Sequence, residues 1–168
     1  MGMDSFGFHL MVLLHLISVI VGFGGVLLNG LYANQARQRP PAEGLAIMEA
    51  NTFVSMKVAE KFIYAVPIFG FAAMGMSDEV YKFSQTWLWL SLLLYIAALG
   101  VSHGVLMPSV NKMLDLQREI VANPPVGGPP PQAAELGELG KKIQTSSMVL
   151  HLSFAVIMIL MVWKPGFL

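Results

Sequence analysis

The chain has no cysteine among its 168 residues. That excludes disulfides, thiolate metal sites, CxxC redox chemistry and covalent c-type haem attachment, leaving His, Met, Lys, Asn and Glu to hold any cofactor. Charge is scarce as well: Asp, Glu, Lys and Arg make up 12% of the residues, and ten basic side chains balance ten acidic ones. A formally neutral chain has no overall field to recruit nucleic acid or an acidic partner, so nucleic-acid binding is set aside. Catalytic patterns are missing too. HExxH, Glu-x-x-His, a phosphate-cradling glycine loop and a Ser-His-Asp set are all absent, which points away from an enzyme. Without a visible internal repeat, an inverted-repeat transporter has no support.

What the chain has is apolar length. Hydrophobic residues make up 55% of it and the mean hydropathy is +0.65, too little polar surface to clothe a soluble domain. Four apolar blocks, residues 8–32, 53–76, 86–107 and 146–163, each come near the ~20 residues a helix needs to cross a bilayer core. In lipid only helices and closed barrels satisfy their own backbone groups, and these blocks lack the alternation of barrel strands. The expected fold is all-α, a single integral membrane four-helix bundle over residues 1–168. The first block reads as a retained span rather than a signal peptide, because residues 1–8 carry Asp4, no Lys or Arg, and no small-residue cleavage site follows.

Basic residues set the expected orientation. Arg37, Arg39, Lys57 and Lys61 surround the first connection, and Lys112, Arg118, Lys141 and Lys142 the third, against only Lys82 and Lys164 at the other side. Both termini are therefore expected outside the plasma (inner) membrane, with two cytoplasmic connections. After Pro40 and Pro41, residues 42–51 suit a short interfacial helix running into the second span. The third span can continue past Pro108 through residues 111–121, where Asp115 and Arg118 form a weak helical pair. Residues 123–131, rich in Pro and Gly, read as a cytoplasmic linker, and from Gln132 the chain looks helical into the fourth span.

In the first span His15, Ser18, Gly22, Gly25 and Asn29 recur at intervals of three and four. At 100° per residue they form one stripe, the face a helix presents to close neighbours in a membrane bundle. Ser18, Gly22, Gly25 and Asn29 are the expected packing residues, and a ligand or proton site on that face is the alternative. Ser91, Tyr95, Ser102 and His103 share a sector of the third span, and Gln144, Ser147, His151 and Met158 one of the fourth. In the second, Glu60 and Tyr64 are aligned, Lys57 and Lys61 are expected to snorkel to the headgroups, and Pro67 should kink the helix and free a carbonyl.

By depth at ~1.5 Å per residue, His103 and His151 fall level near the inner interface, with Glu60 and Asn29 near the same height. Two facing imidazoles can ligate a b-type haem, or with Glu60 hold a divalent metal, while the bland reading is hydrogen bonding across helices. His15 lies toward the outer side and is the third candidate cofactor ligand. The twelve methionines invite a copper reading, but they lack relay spacing and are ordinary core filler.

The run Leu14-His15-Leu16-Ile17-Ser18-Val19-Ile20-Val21-Gly22-Phe23-Gly24-Gly25 resembles the first span of the CopD-like superfamily, which includes copper-resistance membrane proteins and HemJ-type protoporphyrinogen oxidases. With Lys82-Phe83-Ser84-Gln85-Thr86-Trp87, Ser102-His103-Gly104 and Trp163-Lys164-Pro165-Gly166, the whole chain resembles an uncharacterised family of small predicted integral membrane proteins (DUF2269-like). The resemblance implies a helical membrane fold, and it matches His15 to the superfamily's first-span histidine.

Three functional readings follow. The first is a non-catalytic accessory or assembly subunit of a larger membrane complex, respiratory or otherwise electron-transferring, with the lipid bilayer and other membrane subunits as partners. The alternative is a haem b-binding or metal-handling redox protein using the inner-leaflet histidines, His103 and His151. The third is a small proton-linked or copper transporter, argued from Glu60, Pro67 and the glycine-rich first span.

Overall fold

The computed structural model describes residues 2–125 and 128–166, so the middle of the 123–131 linker lies outside the described residues. Every regular element among them is helical: α1 (Phe6–Leu27), α2 (Asn29–Arg37), α3 (Pro41–Phe53), a first π turn (Val54–Ala59), α4 (Glu60–Gly75), α5 (Thr86–Val101), a second π turn (Ser102–Leu106), α6 (Met107–Ala122) and α7 (Ala133–Trp163). They join into four continuous helices long and apolar enough to cross a membrane: Phe6–Arg37, Pro41–Gly75, Thr86–Ala122 and Ala133–Trp163.

Local chemistry sets their ends. The Ser5 hydroxyl accepts from the Phe8 amide at 3.3 Å and caps α1. Pro40 and Pro41 stop α2 and start α3, with Pro41 at the first helical position, where its missing N–H costs nothing. Residues 42–51 thus form the beginning of the second helix itself. The third helix continues past Pro108, which sits in the first turn of α6, directly after the second π turn.

The first span packs most closely on the second and the third on the fourth, making two helical hairpins. Between the hairpins, α3 meets α6 at the lysine-bearing end, where Arg118 clamps Glu49 at 2.8 Å and Asp115 at 2.9 Å. Elsewhere they meet by side chains. Phe23 stacks on Phe154 with ring centroids 4.2 Å apart, joining first and fourth spans. At the opposite end Phe8 and Lys164 both meet Tyr81, so the two chain ends share a side with the 76–85 turn. There Trp87, Leu88 and Leu160 form a small buried cluster. A sparse core suits a bundle in lipid, because tails as apolar as leucine give no drive to bury leucine, and close approach of small residues replaces it.

Candidate functional site

The stripe of the first span lies along the second span. His15 Nδ1 donates to the Val66 carbonyl at 2.9 Å. Ser18 is buried, its hydroxyl turned back on the Leu14 carbonyl at 2.8 Å. A Cβ on Gly22 would sit 2.9 Å from the Ile63 backbone nitrogen, and one on Gly25 would sit 2.9 Å from the Ala59 Cβ. Asn29 Oδ1 accepts from the Ser55 hydroxyl at 3.0 Å. Hydrogen bonds therefore end the seam at both extremes, and glycine lets the backbones touch between them.

Above this seam Pro67 sits inside α4. Having no N–H, it leaves the Ile63 carbonyl without its intrahelical donor. The Tyr95 hydroxyl of α5 donates to that carbonyl at 3.1 Å.

The chemical centre lies nearer the lysine-bearing end, where the second and third spans face each other. Glu60 opens α4 immediately after the first π turn, and Tyr64, four residues on, shares its face. The Tyr64 hydroxyl lies 2.5 Å from Glu60 Oε1 and 2.6 Å from His103 Nε2, and Nε2 lies 3.0 Å from the same carboxylate oxygen. Three titratable atoms from two spans thus close a triangle. His103 is in the second π turn, so both partners of the carboxylate–imidazole contact stand where helical bonding changes register, a feature frequent at functional sites. His103 Nδ1 lies 3.0 Å from the Leu99 carbonyl. A carbonyl only accepts, so Nδ1 carries hydrogen and Nε2 is the nitrogen turned to Glu60 and Tyr64. An acid, a phenol and an imidazole in mutual contact can take up a proton and pass it among themselves.

This triangle is open. The His103 side chain is 43% exposed and that of Glu60 21%, and Tyr64 is 40% exposed. Lys57 and Lys61 flank Glu60 in sequence and are exposed.

The arrangement differs from a level cluster of Asn29, Glu60, His103 and His151. Glu60 and His103 do meet, and Tyr64 completes them. Asn29 is bonded to Ser55 instead, and His15 to Val66. No hydrogen bond or ion pair joins His151 to His103 among the described residues. Both ring nitrogens of His103 are occupied within the chain, so this imidazole has none free for iron, and the donor set does not fit axial ligation of haem by His103 with His151. No group of three or more His, Cys, Asp or Glu side chains is placed to hold a metal among the described residues. In the fourth span it is Ser146 that is buried, while Gln144 is exposed. The role of Tyr64 had a sequence signal, its spacing of four from Glu60.

A family model described as a predicted integral membrane protein (DUF2269) matches residues 9–165. No curated protein and no solved structure matches the chain.

Proposed function

This chain belongs to the DUF2269 family of predicted integral membrane proteins, and we propose that it is a non-catalytic subunit of a larger electron-transfer assembly in the plasma membrane. Its termini lie outside, and its Glu60–Tyr64–His103 face is turned to the assembly. The observation that carries this reading is the exposure of the triangle. His103 lies four residues before Met107, about 6 Å inside the apolar part of the span. Hydrocarbon offers these groups no hydrogen bonds, and an ionisable cluster facing it is costly. A polar surface from another membrane subunit removes that cost. The haem or metal alternative would require His103 to give up one of its present bonds.

Extraction of the full-length chain in mild detergent tests the proposal. The chain should migrate on native gels within a larger complex and be released from it by combined Tyr64→Phe and His103→Gln substitution with its helical content intact. Migration as a lone chain, together with no protein cross-links from this face in intact membranes, would overturn it.

A further inference from the structure

We propose that the Glu60–Tyr64–His103 triangle binds the hydroxyl-bearing ring of a membrane-soluble quinol. This rests on the reading of the face as the working surface of an electron-transfer assembly, and it names the small molecule enclosed there. The Glu60 Oε1 atom takes both contacts within the triangle, while Oε2 has no hydrogen-bond partner among the described residues and is not a buried orphan. A carboxylate oxygen left open asks for a donor. Lys57 and Lys61 flank Glu60 in sequence, both exposed and without an ion pair among the described residues, so positive charge carried by the same turn of chain opposes a cationic donor. An anion would meet Glu60 itself. A neutral donor meets neither objection, and a hydroxyl is the one we take.

The surroundings say where that hydroxyl comes from. The triangle is set within the spans, and Ile68, Ile96 and Val105 on the same two spans are 63%, 58% and 42% exposed, so the molecule approaches from the lipid phase with an apolar tail. The rings of Tyr64 and His103 lie 6.0 Å apart, inclined at 32°, and their exposed surfaces offer aromatic contact to a planar ring. Glu60 Oε2, the one atom of the triangle left without a partner among the described residues, can accept from a ring hydroxyl, so the reduced head is the form that fits. A neutral glyceride also carries a hydroxyl on an apolar molecule, but it has no ring.

The test is photolabelling of membranes containing the full-length chain with an azido-quinone kept reduced as its quinol, followed by peptide mapping. Label is expected on the segments 60–64 and 99–105, displaced by unlabelled quinol and not by diacylglycerol. Glu60→Gln should weaken labelling about tenfold, the loss of one hydrogen bond to a charged group, whereas Ile20→Ala on the first span should change nothing. Competition in the unsubstituted protein reads the site even if Glu60→Gln does not accumulate. Equal displacement by diacylglycerol, or label spread evenly over lipid-facing positions, overturns the proposal. If the native complex persists while this face stays unlabelled, the quinol is rejected and the subunit reading stands; specific labelling of a chain that runs alone rejects only the subunit.

Discussion

Tyr95 donates its phenolic hydrogen to the Ile63 carbonyl at 3.1 Å, the carbonyl that Pro67 strips of its own helical donor. A break in one span is thus mended by a side chain of the next. Tyr95→Phe should cost about 0.6 kcal/mol and no more than about 1.7, the mean and the maximum measured for interhelical hydrogen bonds in a membrane protein. In a Pro67→Ala background, where residue 67 regains an N–H, the same substitution should cost less. Unfolding in mixed micelles measures both, and equal losses in the two backgrounds would show that the tyrosine is not answering the proline.

Gly22 and Gly25 meet Ile63 and Ala59 with no room for a methyl group. Leucine at either position forces the two spans apart and should destabilise by about 1–3 kcal/mol or prevent accumulation. Leu27, 52% exposed on the same helix, should tolerate alanine within about 0.5 kcal/mol. Comparable tolerance at all three positions would contradict a backbone-to-backbone seam.

The two inner histidines should separate cleanly. His103→Ala removes the bonds to Glu60, Tyr64 and the Leu99 carbonyl and should cost about 1–2 kcal/mol. His151→Ala breaks no hydrogen bond among the described residues and should stay within about 0.5 kcal/mol. Thermal unfolding of the two variants side by side decides it; a larger loss at His151 would restore it to the centre of the site.

Orientation is open to a reporter. A periplasm-active enzyme fused after Leu168 should be active, and the same enzyme inserted in the 123–131 linker should be silent, given the excess of Lys and Arg on that side. The reverse pattern would put the Glu60–Tyr64–His103 face in the other leaflet.

Much of this was readable in the sequence, and the limit falls at a definite place. Apolar length marks the spans, and the spacing of His15, Ser18, Gly22, Gly25 and Asn29 marks the face that meets the second span, because a regular helix keeps its phase. The Glu60–Tyr64 alignment is readable for the same reason. Which histidine closes on them is not. Counting rise along a helix gives height, and His103 and His151 are level by that measure, but height does not say how each helix is turned about its axis. The π turns at Val54–Ala59 and Ser102–Leu106 add to the difficulty, since i→i+5 bonding shifts every later residue off a 100° wheel. Both shifts fall beside the residues in question.

The pairing of spans has a consequence for how the protein is made. Close helix contact runs within the first and second spans and within the third and fourth, while the hairpins are joined through α3 with α6 and by side chains such as Phe23 on Phe154. Each hairpin should therefore enter the bilayer as a unit, the halves meeting sideways in the membrane afterwards. A gene divided in the turn near Asp78 should yield two fragments that copurify when coexpressed, whereas a division inside either hairpin strands a single helix without the neighbour that fits it.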